Sequence, residues 1–190
     1  KNQVLFIADE VQTGLARTGK LLCCDHEGFR PDILVLGKAL SGGIMPVSAV
    51  LANDEIMLTI QPGQHGSTYG GNPLACAVAM EALEVIKDEQ LAENAEYLGK
   101  VFRRRMQEDV VDKTDLVTLV RGKGLLNAIV IDDEEEGETG WEICLKLAEN
   151  GLLAKPTHGN IIRFAPPLVM TEAQLHECCD IITRVIHKFD

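Results

Sequence analysis

Two short apolar runs, each ending in charged side chains, constrain the fold of this chain more than any other feature. The runs VLFIADE (4–10) and DILVLGK (32–38) are continuously apolar and rich in β-branched residues, as expected of strands buried on both faces. A dozen or more residues punctuated by glycine and proline separate them, and that length allows a crossover between parallel strands. The pattern predicts an α/β fold with a mostly parallel sheet and flanking helices.

The rest of the first hundred residues extends this pattern. MPVSAVLAN (45–53) predicts a third strand, and NDEIMLTI (53–60) predicts a short helix. Asn72 followed by Pro73 is the order expected of a helix N-cap and first helical residue. We expect one helix to run from there through residue 89 and a second helical stretch to cover 91–109.

Around residue 110 the pattern changes to that of a small α+β domain. LVTLVRGKGLLNAIVID (116–132) predicts two strands joined at GKG, and a strand pair is expected across HGN (158–160). Between these pairs, a helix over about 141–149 ends at an Asn-Gly C-cap. Thr171 and Gln174 form a capping box that opens the last helix. We therefore predict two domains, residues 1–108 as part of a larger α/β domain and 109–190 as the small α+β domain.

Charge and composition exclude several classes of partner and cofactor. A net charge of −11 disfavours nucleic acid and anionic membranes as partners, and no apolar run approaches membrane-spanning length. The five histidines and six cysteines lack the spacings of metal sites or disulfide frameworks, so we expect no metal and interpret the cysteines as buried free thiols. Such thiols fit an intracellular location, either the cytoplasm or the mitochondrial matrix. The opening KNQVLFIADE enters a core strand at once, so we expect a fragment of a longer protein.

Lys38 and Asp9 are the first candidates for chemistry. Ligands of open α/β sheets bind outside the carboxyl ends of the strands, where both residues are expected. A desolvated lysine there becomes a nucleophile suited to a Schiff base, and an aspartate can keep a pyridine nitrogen protonated, as pyridoxal phosphate (PLP) enzymes require. The alternative is a surface lysine at a strand end and an aspartate at a turn, and spacing alone favours that alternative.

Two further features have similar ambiguity. In HGSTYGGNP (65–73), the Ser67 and Thr68 hydroxyls and the glycine N–H groups predict a phosphate cradle, or merely a glycine-rich loop before a helix. Arg163 lies inside the apolar strand NIIRFAPP (160–167), where a guanidinium suits capture of a substrate carboxylate. For Arg163 the alternative is an internal ion pair, which the strand alone favours.

Several long segments resemble the class III, fold-type I, PLP-dependent aminotransferases. These are LFIADEVQTGLARTGK (5–20), PDILVLGKALSGGIMPVSAV (31–50) and HGSTYGGNPLACAVAMEALEV (65–85). RGKGLLNAIVI (121–131) and GLLAKPTHGNIIRFAPPLVMTEAQL (151–175) resemble in particular the members of that family that act on ornithine. The resemblance covers essentially the whole chain. Family members have a further N-terminal half, which this chain does not contain.

The resemblance implies roles for the candidate residues. Lys38 would form the Schiff base with PLP and shuttle the proton, Asp9 would pair with the pyridinium nitrogen, and Gln12 would bond the ring 3′-oxygen. Ser67 and Thr68 would reach the cofactor phosphate of a neighbouring subunit, which implies a homodimer. Arg163 would bind a substrate carboxylate, and no metal is involved.

The implied reaction moves the δ-amino group of L-ornithine to 2-oxoglutarate, giving glutamate 5-semialdehyde and glutamate. The alternatives are another class III aminotransferase, acting on acetylornithine or 4-aminobutyrate, or a folded fragment without catalytic activity. Because the family's N-terminal half supplies much of the cofactor's surroundings, we expect the 190-residue chain alone to have little or no activity.

Overall fold

The computed structural model of the protein describes residues 4–189. Contacts divide the chain into two compact units between Ala92 and Glu93. Of the residues described, 4–92 form the first unit and 93–189 the second unit. The predicted division into functional domains after residue 108 stays a prediction.

A three-stranded sheet organises the first unit, in the order β1-β2-β3. Its strands are β1 (Ile7–Asp9), β2 (Ile33–Leu36) and β3 (Ala49–Ala52). The predicted parallel pairing of the first two strands is confirmed, but β3 runs antiparallel to β2. The connection between β2 and β3 contains a 3₁₀ turn and no α-helix, so it makes a reversal rather than a helical crossover.

Two helices complete the first unit, α1 (Asp54–Met57) and α2 (Pro73–Asp88). As predicted, Asn72 caps α2, because its side-chain oxygen accepts hydrogen bonds from the N–H groups of Leu74 and Ala75 at 3.0 and 3.2 Å. Burial of a small apolar cluster holds α2 near the sheet; its members are Leu15, Leu36, Leu40 and Ala79.

The second unit is built on an antiparallel sheet with the order β4-β5-β7-β6. Its strands are β4 (Val117–Lys123), β5 (Leu126–Ile131), β6 (Lys155–Thr157) and β7 (Ile161–Phe164). Its helices are α3 (Leu91–Met106), which ends in a π-helical turn (Gln107–Val111), α4 (Thr139–Glu149) and α5 (Glu172–Ile186). Both predicted strand pairs are confirmed.

The last helix was predicted correctly from local signals. Thr171 and Gln174 form the capping box, and the buried positions of α5 recur at helical spacing. These are Leu175, Cys179, Ile182, Val185 and Ile186, and they join the main core of the second unit. Each such buried aliphatic side chain contributes about 1.5–3 kcal/mol of transfer free energy, so this face fixes α5 on the sheet.

An ion-pair network joins α3 to α5 at the surface of this unit. The Arg105 guanidinium donates to the carboxylates of Asp109 and Asp180 and to Nδ1 of His176. Hydrogen bonding from Arg105 lowers the pKa of Asp109, outweighing the opposing effect of burial. The network therefore contributes most when its carboxylates are ionised.

The cysteine prediction is only partly correct. All six cysteines are free, and Cys24, Cys144 and Cys179 are buried, but Cys76 on α2 is exposed. Within residues 4–189, no three His, Cys, Asp or Glu side chains form a cluster that could hold a metal ion. None of the helices described is long and apolar enough to cross a membrane.

Candidate functional site

Lys38 stands at the start of a 3₁₀ turn (Lys38–Ser41) directly beyond β2 and Gly37. Its side chain is exposed, and its φ of 47° lies in the left-handed region that non-glycine residues avoid. That conformation costs about 1–2 kcal/mol, and such strain is concentrated at functional positions in proteins. The end of an ordinary strand does not require this strained conformation. The strain therefore favours a functional role for the Lys38 turn.

A cleft of about 520 Å³ opens beside Lys38 within the first unit. Its volume lies in the range of about 300–1,000 Å³ that small-molecule sites occupy. Three segments of the unit line it: Lys38, then Pro46 to Ser48, then Ser67, Tyr69, Gly70, Gly71, Asn72, Ala75 and Cys76. The cleft thus joins the turn after β2 to the glycine-rich loop before α2.

The glycine-rich loop presents polar groups to this cleft. The Ser67 Oγ accepts a hydrogen bond from the Gly70 N–H at 2.9 Å, which leaves the Ser67 hydroxyl proton available to a ligand. A Cβ on Gly70 would lie 2.9 Å from the Cβ of Ser67, so this close turn requires glycine. The loop leads into the 16-residue helix α2, whose N-terminal end is electrostatically positive. Thr68 is exposed but does not line the cleft.

Asp9 ends β1 and lies opposite Val35 in the parallel pairing. Because Val35 is three positions before Lys38, both site residues lie at the carboxyl edge of the sheet. The Asp9 side chain is exposed and accepts a hydrogen bond from the Val11 N–H at 3.1 Å. Gln12 follows in the next loop and is also exposed; neither Asp9 nor Gln12 lines the cleft beside Lys38.

Sequence reasoning missed Glu10, the buried neighbour of Asp9. Glu10 is only 3% exposed, and its carboxylate accepts hydrogen bonds from the N–H groups of Cys23 and Cys24 and from the Thr13 hydroxyl. Burial acts to raise the pKa of Glu10, but these hydrogen bonds outweigh it and the pKa lies below its ordinary value. Two of these partners, the amides of Cys23 and Cys24, lie 13 and 14 positions along the chain. The only signal in the sequence was an acid directly after the strand-end aspartate.

Arg163 lies on β7 in the second unit, in a row of cations across the sheet. β7 pairs Arg163 with Lys155 on one side and with Ala128 on the other, and Ala128 in turn pairs with Arg121. Paired residues share a face, and like charges directly opposite each other are destabilising. No carboxylate within residues 4–189 forms an ion pair with any of these three cations, so the ion-pair alternative for Arg163 has no support there.

Residues 1–186 match the family model described as Aminotransferase class-III. The chain belongs to this family. It is 60% identical over 189 residues to the mitochondrial ornithine aminotransferase of Rattus norvegicus, and 64% identical over 186 residues to that of Drosophila melanogaster. These alignments cover 100% and 98% of the chain but 42% of each relative, so the chain spans less than half the length of these proteins.

Solved aminotransferase structures have the same fold over the same residues. An acetylornithine aminotransferase from Elizabethkingia anophelis aligns with a TM-score of 0.94 and 67% identity, over 98% of this chain and 46% of that one. An ornithine aminotransferase from Toxoplasma gondii, described as having partial occupancy of PLP at its active site, aligns with a TM-score of 0.93 and 48% identity, over 97% of this chain and 43% of that one. The predicted α/β fold class is thereby confirmed.

Proposed function

We propose that the protein carrying this chain is a PLP-dependent aminotransferase that moves the δ-amino group of L-ornithine to 2-oxoglutarate. The products are glutamate 5-semialdehyde and glutamate. The observation that carries this proposal is the 60–64% identity to ornithine aminotransferases across essentially the whole chain. The placement of Lys38 at a cleft of suitable size supports the same conclusion.

The residues around the cleft fit PLP chemically. An exposed primary amine, a serine hydroxyl and a glycine-rich loop before a helix N-terminus are the groups that an aldehyde and a phosphate require. When bound, PLP supplies an aldehyde that an amine can attack and a protonated ring that withdraws electrons from the substrate carbon. The chain's own residues then have to hold the cofactor and control the protons.

The residues of the sheet edge divide these tasks. The Lys38 Nζ would hold the cofactor covalently and, once released by the incoming amine, carry the proton between the substrate carbon and the cofactor. The Asp9 carboxylate would keep the ring nitrogen protonated, since an opposite charge stabilises the protonated form. The Gln12 amide would donate a hydrogen bond to the ring 3′-oxygen.

Ser67 and Thr68 would bind the cofactor phosphate of a neighbouring subunit, and the protein would act as a homodimer. Both residues are exposed, as a contact with a partner subunit requires. Ser67 also lines the cleft beside Lys38 of its own chain, whereas Thr68 does not. Thr68 is therefore the better residue for testing whether the phosphate is shared between subunits.

Arg163 would bind a substrate carboxylate. A guanidinium holds a carboxylate through two parallel hydrogen bonds, which fixes the orientation of the substrate as well as its position. No carboxylate within residues 4–189 forms an ion pair with Arg163 or Lys155, so a substrate carboxylate would relieve the repulsion between these two cations.

Acetylornithine is the second candidate amino donor, because of the 67% identity to the Elizabethkingia anophelis acetylornithine aminotransferase. The two donors differ at the α-amino group, which acetylation makes neutral and larger. A full-length protein containing this chain should be assayed with each donor and 2-oxoglutarate. A higher kcat/KM with L-ornithine supports the proposal, and a higher value with acetylornithine replaces it with the second candidate.

The proposal also covers the setting of the reaction. The rat and fruit-fly relatives are mitochondrial proteins, and we place this one in the mitochondrial matrix or the cytoplasm. The 190-residue chain alone is expected to show little or no turnover, because it spans 42% of those relatives. Ornithine turnover by the chain alone, at the rate of the full-length protein, would contradict this expectation.

A further inference from the structure

Glu10 closes the loop that connects β1 to the 3₁₀ turn at Cys23–His26. Its Oε1 accepts from the Cys24 N–H at 2.8 Å, and its Oε2 accepts from the Cys23 N–H and the Thr13 hydroxyl, both at 2.9 Å. A buried carboxylate is costly unless its oxygens are hydrogen-bonded, and here both are. The carboxylate therefore ties the far end of the loop to the end of β1.

The loop is also packed tightly against Glu10 at its near end. The Gly14 N–H donates to the Glu10 carbonyl oxygen at 3.0 Å. A Cβ on Gly14 would lie 2.9 Å from that oxygen and 3.1 Å from the Glu10 Cβ, so a larger residue would displace the Glu10 backbone or side chain. Glycine at this position lets the loop turn directly over the buried carboxylate.

The same loop contains two strained backbone conformations, which the surrounding structure must stabilise. Leu15 and Ala16 are consecutive, buried and non-glycine, yet have φ values of 56° and 71°. Each such conformation costs about 1–2 kcal/mol and persists only where the surrounding structure imposes it. The hydrogen bonds to Glu10 close the segment that carries both strained residues.

This closed loop contacts the candidate site at two places. Asp9 directly precedes Glu10, and Gln12 lies within the loop, so the direction of both side chains depends on how the loop leaves β1. Leu15 belongs to the same buried cluster as Leu40, which lies in the turn that begins at Lys38. A change in the loop would therefore alter the positions of Asp9 and Gln12 and of the turn that begins at Lys38, the residues proposed to hold the cofactor.

We propose that Glu10 is a positioning residue of the PLP site, which orients Asp9 and Gln12 and supports the Lys38 turn by closing the loop over residues 11–24. The inference rests on the proposed function for the identity of the cofactor. Glu10 itself touches neither cofactor nor substrate in this account. Its carboxylate acts through the backbone of the loop.

The test compares Glu10→Gln with Glu27→Gln in a full-length protein containing this chain. Glu10→Gln keeps the shape of the side chain but replaces one acceptor oxygen with an NH2 group. Either the Cys24 N–H loses its acceptor, or the Cys23 N–H and the Thr13 hydroxyl both lose theirs. Glu27→Gln removes the same charge from an exposed position just beyond the loop, at the end of the Cys23–His26 turn. Thr13→Val, which removes one hydrogen bond to Glu10, serves as a milder variant where Glu10→Gln folds poorly.

Three measurements separate positioning from stability alone: the dissociation constant of PLP, the exchange rates of the Cys23 and Cys24 amides, and the melting temperature without cofactor. The dissociation constant and the exchange rates are measured well below the melting temperature. We expect Glu10→Gln to weaken PLP binding at least about tenfold and to speed both amides by at least about tenfold. Thr13→Val should raise the PLP dissociation constant and the amide exchange rates by smaller factors. Glu27→Gln should leave the dissociation constant and the exchange rates unchanged.

The outcomes distinguish this inference from the proposed function. If wild type retains PLP on Lys38 but Glu10→Gln binds PLP as tightly and only melts earlier, Glu10 is merely structural and the inference fails. If wild type acquires no pyridoxyl group on Lys38 after borohydride, the proposed function fails and the positioning role fails with it.

Discussion

Asp9 pairs with Val35 across the parallel strands β1 and β2, so its carboxylate and the turn that begins at Lys38 share one edge of the sheet. The cleft beside Lys38 also reaches Ser67 in the loop before α2. The first unit thus places the proposed amine at a cleft, with the proposed ring-nitrogen partner at the same sheet edge. Ser67, which is proposed to bind the phosphate of the neighbouring subunit's cofactor, also lines this cleft.

The role of Arg163 can be separated from a structural one by Arg163→Lys in the full-length protein. A lysine keeps the charge but loses the paired hydrogen bonds, so we expect KM for one substrate to rise about ten- to a hundredfold. Arg121→Lys is the matched control, because Arg121 lies in the same row of the sheet and is exposed. Steady-state kinetics with both substrates provides the measurement. A lower melting temperature with unchanged KM would make Arg163 a structural residue.

A mixing experiment tests whether Thr68 serves the partner's cofactor. Lys38→Ala and Thr68→Ala subunits are each expected to have low activity. If Thr68 acts across the dimer, co-expression restores one intact site in every mixed dimer, because the Lys38 of one subunit meets the Thr68 of the other. Activity that stays at the level of the two separate variants would show that Thr68 acts within its own chain, or not at all.

The local parts of this fold were predictable and the tertiary parts were not. The Asn72-Pro73 start of α2 and the capping box at Thr171 depend on neighbouring residues, and both were predicted correctly. The start of α4 at Thr139 was placed two residues too late, because an N–H at that end donates to Asp133, six positions earlier. The predicted roles of the site residues stay predictions; of these residues, only Lys38 and Ser67 line the cleft.

The miss at Glu10 has a physical reason. An acid at a strand end is typically solvated, and only the return of Cys23 and Cys24 to the end of β1 makes this one buried and hydrogen-bonded. The antiparallel direction of β3 was missed for a similar reason, since an apolar strand pattern does not specify the direction of pairing.

Acid should weaken the network around Arg105. The folded-state pKa of Asp109 is lowered, so its contribution to stability is complete above the unfolded pKa of about 3.9 and is lost as pH falls through the folded value. Asp109→Asn should therefore cost about 1–2 kcal/mol at neutral pH and progressively less as pH falls below the unfolded pKa. Urea denaturation of both proteins, at neutral pH and at a series of acidic pH values, is the measurement. Glu84→Gln removes an exposed pair with Lys87 and should cost under about 0.5 kcal/mol; an equal cost for both variants would contradict the account.

Gly99 on α3 should not tolerate alanine. Helix propensity alone would favour alanine by about 1 kcal/mol, but a Cβ at this position would overlap the Gly124 carbonyl oxygen. The clash dominates, so Gly99→Ala should destabilise the protein by about 2–4 kcal/mol. Gly66→Ala, where no atom lies within 4 Å, should change the unfolding free energy little. If Gly99→Ala stabilises the protein instead, the turn at Gly124 can move away from α3 at little cost, and the predicted clash does not control stability.

Covalent trapping of the cofactor tests the central claim most directly. The full-length protein is incubated with PLP, reduced with borohydride and digested, and the modified peptide is sequenced by mass spectrometry. We expect a single pyridoxyl group on Lys38 within this chain and none in Lys38→Ala. A pyridoxyl group on another lysine, or no label in the wild-type protein, would contradict the assignment of Lys38 and with it the proposed function.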